Sequence, residues 1–265
     1  MNAAIIGYTG FVGGYLHARR QAEFTYNTSN FRDMSSRHHD LVVCAGVSAV
    51  KWMANKEPAR DKEAIELLWS AMSHLKADRF VLISTVDVYP MPRGVCESSA
   101  PQEGGHPYGI HRLELEHLVM DRFPRAVVLR LPGLFGEGLR KNVLLDMMSG
   151  RLLEAIDPAA SFQWYGLDRL WGDIDAALAH QAATGKQVYN LPTEPVSTGA
   201  IRDAFFPALV LGTPAATPAS YDMHTENAHV FGGEGAYLEK APAVLERMGR
   251  WLGRAPHATL VSMPC

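Results

Sequence analysis

Cysteine is scarce in this sequence, and neither sign of charge dominates it. Cys44, Cys96 and Cys265 are the only cysteines in 265 residues, and they show no paired spacing. An odd, sparse set excludes a disulfide framework and predicts free thiols in a reducing compartment. The formal net charge is -3, which leaves no basic footprint for nucleic acid. No run of about 18 apolar residues occurs, so no bilayer span and no membrane partner are expected. No charged leader precedes the apolar Ala3-Ala4-Ile5-Ile6, so no signal peptide and a cytoplasmic location are expected. Metal-ligand spacing is lacking as well. The 11 histidines scatter, His38 and His39 are adjacent, and neither His-x-x-x-His nor Cys-x-x-Cys occurs, so no metal site is expected.

What is present is an ordinary globular composition with a clear alternation of patterns. Ala3–Ile6, Phe24–Tyr26, Leu41–Ala45, Phe80–Ile83 and Ala126–Leu131 are short apolar runs of the kind that become buried parallel strands. Between them, Phe11–Arg20, Glu57–Leu75 and Tyr108–Arg122 read as helices; Ile65, Leu68, Trp69, Met72 and Leu75 form one apolar stripe. Strand alternating with helix predicts an α/β fold with a Rossmann-type, doubly wound parallel sheet. About a dozen residues separate the second strand from the third, too few for a full crossover helix. Beyond Gly136 the pattern loosens. Helices are expected near Asn142–Met148, Leu167–Ala183 and Ala241–Leu252, a short strand at Gln187–Leu191, and loops from Pro207 to Gly235. A dinucleotide-binding domain over 1–135 and a smaller C-terminal substrate lobe over 136–265 are the expected organisation. Within the loops, Gly232-Gly233-Glu234-Gly235 has no clear preceding strand and reads as a plain loop.

Gly7-Tyr8-Thr9-Gly10-Phe11-Val12-Gly13 follows the first strand and opens the first helix. Gly7 permits the tight turn, Gly10 lets the backbone approach a pyrophosphate, and Gly13 lets the helix sit close to the sheet. The phosphates then meet free N–H groups at the helix start. A purely structural glycine turn is the competing reading, and the position of the motif favours a dinucleotide.

Two further residues point to chemistry. Thr85 lies just beyond the strand Phe80–Ile83, at the sheet edge where such folds bind ligands. Tyr108 and Arg112 are four apart and share one helix face. A phenol with its pKa lowered by a neighbouring cation can exchange a proton with a hydroxyl or ketone, and a threonine hydroxyl can hold the same oxygen. The plainer alternatives are a strand cap at Thr85 and a packing residue at Tyr108.

These segments together resemble the extended short-chain dehydrogenase/reductase family, particularly its nucleotide-sugar epimerases and reductases. Ser84-Thr85-Val86-Asp87-Val88-Tyr89 resembles the segment with the family's catalytic Ser or Thr. Tyr108-Gly109-Ile110-His111-Arg112 resembles its Tyr-x-x-x-Lys helix, and Arg130-Leu131-Pro132-Gly133-Leu134-Phe135-Gly136 the strand and loop bordering the nicotinamide. The resemblance spans about residues 3–200. It implies catalytic roles for Thr85, Tyr108 and Arg112, and cofactor contacts from Gly7, Thr9, Gly10, Phe11, Val12, Gly13, Ala45, Gly46 and Pro132. It also implies a substrate contact at Asn142. Arg112 departs from the family Lys: it keeps a permanent charge with bulkier, different donor geometry. His111, rotated about 100° away on the helix, is expected to be a bystander. Where family 4,6-dehydratases carry Asp-Glu, this chain has Val86-Asp87, so dehydration is disfavoured and epimerisation or ketone reduction stays open.

The second strand ends in Asn27, Thr28, Ser29, Asn30 and Arg32, with no carboxylate before Asp33. NAD enzymes of this fold use an acidic residue there, so Asn27, Ser29, Asn30 and Arg32 suit the 2′-phosphate of NADP better than NAD, unless Arg32 is a solvated surface charge. In the aromatic segment Phe162–Trp171, Gln163 and Tyr165 are expected to face substrate. The expected function is an NAD(P)-dependent oxidoreductase or epimerase acting on a nucleotide-linked sugar, with a homodimer allowed. The alternative is a Rossmann binding module with little turnover, because the family Lys is absent.

Overall fold

A computed structural model describes residues 2–100 and 104–253, and Cys265 lies outside the described residues. The chain divides into two compact units. The first comprises Met1–Met91, Glu97–Leu131 and Leu170–Asn190. It is built on six strands: β1 (Ala3–Ile6), β2 (Phe24–Tyr26), β3 (Leu41–Cys44), β4 (Phe80–Thr85), β5 (Ala126–Leu131) and β6 (Val188–Asn190). Their spatial order is β6-β5-β4-β3-β1-β2, and every pairing is parallel. This is the expected Rossmann-type α/β sheet.

The strands are apolar throughout because both faces are covered. On one face Ile6, Val42, Phe80 and Val128 pack with Met72 of α3 (Pro58–Met72) and Val119 of α4 (Pro107–Arg122). The helical stripe sorts as the 3.6 period requires: Ile65 and Met72 are buried, with Leu68 and Trp69 partly buried against them, while Leu75 is buried just past the end of the helix. Residues of the opposite parity, such as Ile5, Val43 and Val81, are equally buried. Cys44 on β3 lies on the first of these faces, and burial pushes its thiol up to about 11.

The segment between β2 and β3 is shortened, as its length implied. A six-residue 3-10 helix, Phe31–Ser36, and the two-residue strand His38–His39 take the place of a crossover helix. β2 is therefore the sheet edge. Two helices differ from expectation. Lys51–Lys56 forms a short separate helix, α2, before α3, and Thr198–Phe205 is helical behind a Ser197 cap. The helix α5 (Leu170–Thr184) and β6 return to the first unit because β6 pairs with β5. The two units are accordingly not the consecutive blocks 1–135 and 136–265.

The second unit comprises Pro92–Cys96, Pro132–Arg169 and Leu191–Cys265. Its core gathers Phe135, Leu144, Trp164, Ile201, Phe205, Val244 and Met248. Loops dominate from Pro207 to Gly235, interrupted by the strand Asp222–Met223 and the 3-10 turn Ala228–Phe231.

Candidate active site

The glycine turn is built as its spacing implied. Gly7 has φ +83°, and a Cβ there would lie 2.5 Å from Gly46 Cα and 2.6 Å from the Ala45 carbonyl oxygen. Ala45 and Gly46 thus run directly against the turn. A Cβ on Gly13 would lie 2.3 Å from the Gly7 carbonyl oxygen, so only glycine lets the helix α1 (Phe11–Arg19) start this close to the sheet. Gly10 is less constrained by the protein: its Cβ would meet only the Gly7 oxygen, at 3.2 Å. Gly10 caps α1 without a side chain, and the first turn carries no acidic residue. The N–H groups of that turn therefore face no competing side-chain anion, which fits a pyrophosphate. Gly10→Val is expected to leave the chain folded and to lower dinucleotide affinity at least tenfold, about 1.4 kcal/mol. Calorimetric titration showing equal affinity for parent and variant would remove this turn as the phosphate site.

At the end of β2 the polar side chains bond chiefly to one another. Asn27 Oδ1 accepts from the backbone N–H and hydroxyl of Ser29 at 2.8 and 2.6 Å. Asn30 Oδ1 accepts from the Asn27 N–H at 2.8 Å, and its amide donates to the Thr25 carbonyl. Arg32 is exposed, with its guanidinium 5.9 Å from the Phe31 ring centre.

Thr85 is the last residue of β4, on the same sheet edge as Gly7 after β1. α4, which carries Tyr108, presses against the turn after β4. A Cβ at Gly109 would sit 1.9 Å from the Asp87 carbonyl oxygen, so glycine next to the tyrosine permits that approach. Asn55 on α2 accepts the Tyr108 N–H at 3.0 Å, and nearby Thr85 favours the ionised form of the phenol. Thr85 Oγ1 also accepts the Asp87 N–H at 3.2 Å.

The electrostatics differ from the expectation of a lowered phenol pKa. Burial pushes the Tyr108 phenol above its ordinary value, and the nearby Asp87 carboxylate adds to this. Arg112, Thr85 and Lys51 act in the opposite direction without overturning it. Arg112 stacks beneath the tyrosine, its guanidinium carbon 3.9 Å from the ring centre. Both terminal nitrogens are committed: Nη1 donates to Asp61 and the Tyr108 carbonyl, Nη2 to Asp61 and the Ser48 carbonyl, at 2.5–3.1 Å. Its Nε is buried without a hydrogen-bond partner. His111 is not a bystander. The turn of the helix that takes it off the tyrosine face points it at α3, where Nδ1 lies 2.8 Å from Asp61 Oδ2. Burial pushes the Asp61 carboxyl up, but the bonds and charges of Arg112 and His111 together hold it below its ordinary value.

A second buried network fixes the strand ends. Glu116 on α4 is fully buried and accepts from Arg130 on β5 and from the Ser84 hydroxyl beside Thr85. Arg130 also donates to the Tyr89 hydroxyl at 2.7 Å. These groups hold the segment carrying Thr85 through the Ser84 hydroxyl.

Of the second unit's expected contacts, Pro132 is buried immediately after β5. Asn142 caps the helix Val143–Ser149, accepting the Leu145 N–H and donating to the Leu134 carbonyl. Gln163 corrects the expectation of a substrate contact. It is fully buried, and its amide joins the Thr193 carbonyl to the backbone N–H and carbonyl of Met223. Tyr165 is fully buried too, so both act within the core of that unit. Among the described residues, His38, Asp40 and Asp78 cluster closely enough to hold a cation. They are largely exposed, and His38 is already paired with Asp78.

A glycine turn after the first strand and an all-parallel six-stranded sheet define a Rossmann-type α/β unit. The chain belongs to the NAD dependent epimerase/dehydratase family, whose model matches residues 3–177. No curated protein sequence matches it. Solved structures share the fold at low identity. WbmG from Bordetella bronchiseptica, in complex with NAD and UDP, is 16% identical at a TM-score of 0.70, covering 95% of this chain and 94% of that one. The dTDP-4-dehydrorhamnose reductase of Yersinia enterocolitica is 14% identical at 0.69, covering 95% and 98%. RMD from Pseudomonas aeruginosa, complexed with NADPH, is 18% identical at 0.67, covering 89% and 93%. No helix among the described residues is long and apolar enough to cross a membrane.

Proposed function

We propose that this chain is an NAD(P)-dependent reductase or epimerase of a nucleotide-linked sugar. The observation that carries the reading is that Thr85 ends β4 on the sheet edge that also bears the glycine turn, with the Tyr108 phenol near enough for Thr85 to favour its ionised form. A nicotinamide supplies or accepts hydride when bound. Tyr108 moves the proton at the substrate oxygen, and Thr85 orients that oxygen. Dehydration fits poorly, because buried, apolar Val86 stands where a general acid is needed. The test is to incubate the purified protein with NADPH, or with NAD, and a panel of nucleotide sugars and their keto forms. Product formation with any of them is the expected result. No turnover, with dinucleotide still bound, would instead favour a binding module, the reading to which the committed nitrogens of Arg112 lend support.

The cofactor reading leans to NADP, because β2 ends without a carboxylate and exposed Arg32 follows it. Arg32→Ala is expected to weaken NADPH about tenfold, the scale of a lost charge-assisted bond, and to spare NADH. A parent protein that binds NADH more tightly than NADPH contradicts the assignment.

A further inference from the structure

Tyr108 is held by its main chain and by its ring, and one carboxylate ties these holds together. Asn55 on α2 accepts the Tyr108 N–H at 3.0 Å, and Arg112 Nη1 donates to the Tyr108 carbonyl at 3.1 Å. The ring lies over the same guanidinium, with 3.9 Å between the guanidinium carbon and the ring centre. A long arginine side chain needs further anchors to stay in one place beneath a ring, because fixing it costs rotamer entropy. Asp61 supplies them. Its two oxygens accept Nη1 and Nη2 at 2.5 and 2.8 Å, a bidentate fork. Nη2 also donates to the Ser48 carbonyl at 2.6 Å, in the loop that follows β3. Asp61 stands in the first turn of α3, where the helix end favours a carboxylate. His111 closes its other flank, with Nδ1 2.8 Å from Oδ2.

We propose that Asp61 is a positioning residue for Tyr108: its carboxylate fixes the Arg112 guanidinium beneath the ring and, by the same bonds, withholds that guanidinium from the cofactor. The proposal rests on the reductase or epimerase reading for its purpose, but not for its test. A cation that served the cofactor would need a spare donor and a side chain able to reach out. Arg112 has neither. Each terminal nitrogen already makes two bonds, the remaining donor Nε is itself buried, and the side chain is only 4% exposed. The planar fork matches a carboxylate and stacks on an aromatic face at once, which an ammonium in its place could not do.

The test uses the full chain labelled with fluorotyrosine, in which the Tyr108 fluorine resonance is assigned by its loss in Tyr108→Phe. Asp61→Asn keeps the shape but sets an amide donor against a guanidinium donor, so the fork is lost. The Tyr108 resonance is expected to move in Asp61→Asn and in Arg112→Met. An unmoved resonance in Asp61→Asn means that the guanidinium stays under the ring without the carboxylate, and overturns the proposal. Dinucleotide affinity in Arg112→Met should stay within about twofold of the parent; a loss of about tenfold, or 1.4 kcal/mol, places the guanidinium on the cofactor and overturns it as well. Where turnover is measurable, Asp61→Asn should lower kcat per folded molecule by about tenfold or more at nearly constant KM, the scale of misplacing a catalytic group. Asp61→Leu combined with Arg112→Met, a packed apolar pair that needs no charges, should stay equally slow. A kcat that returns to the parent value in that pair assigns Asp61 to stability alone and overturns the proposal. If no nucleotide sugar reacts, the functional reading fails while the resonance and the affinity still decide the role of Asp61.

Discussion

Tyr108→Phe should cut turnover by about 10²-fold or more while leaving dinucleotide affinity unchanged. The substitution removes one hydroxyl, and a lost acid/base group costs on that scale. Thr85→Val should be milder, because it removes an orienting hydrogen bond of about 1–2 kcal/mol and not the proton path. The order of damage separates chemistry from packing. A tyrosine that merely packed would, on losing its hydroxyl, lower stability and leave the rate per folded molecule alone. Because burial holds the phenol above its ordinary pKa, the residue is protonated at neutral pH in the free protein. It is therefore poised as a proton donor, which suits ketone reduction. Full turnover in Tyr108→Phe with an unchanged pH profile would exclude the mechanism.

Asp61→Ala should strongly destabilise the first unit. It leaves the Arg112 guanidinium buried with no carboxylate, and breaking such a pair from one side costs about 3–5 kcal/mol. At the usual sensitivity for a chain of this size, the melting temperature should fall by roughly 10 °C. Asp61→Leu combined with Arg112→Met should recover most of the loss, since a packed apolar pair does not need the charges. The pH dependence has a definite sign. The folded Asp61 carboxyl is held below its ordinary value, so its contribution is complete above about pH 4 and disappears as pH falls through the lowered folded value. The stability gap between parent and Asp61→Asn should therefore narrow in acid. Thermal melts showing a constant gap from neutral to acid pH would mean that the cluster is not ionic.

Much of this arrangement is legible in the sequence, for local reasons. Ala126–Leu131 is a continuous apolar run, Pro107 and Tyr108 open a helix at its first turn, and the glycines follow β1 directly. What stays hidden is whatever depends on groups far apart in the chain. Asp61 and Arg112 are 51 residues apart, and nothing in either neighbourhood announces the other. The same holds for Lys51, whose Nζ lies 2.6 Å from Asp87 Oδ1. Periodicity showed that His111 turns off the tyrosine face, yet it could not say that α3 presents a carboxylate there. Gln163 misleads for a related reason. A polar side chain among aromatics reads as a substrate contact, but here it satisfies three backbone groups that the loop-rich second unit would otherwise bury unpaired.

The shortened link between β2 and β3 has a consequence for solubility. Without a further strand, β2 presents an open sheet edge, the usual template for pairing with another chain. This edge is kept brief, at three residues. The Asn30 amide occupies the Thr25 carbonyl, and the Arg37 guanidinium lies over the Phe24 ring, 4.8 Å from its centre. The polar residues that follow β2 thus serve as a stopper against strand addition, so this sheet ends in side chains where a longer crossover would have supplied another strand.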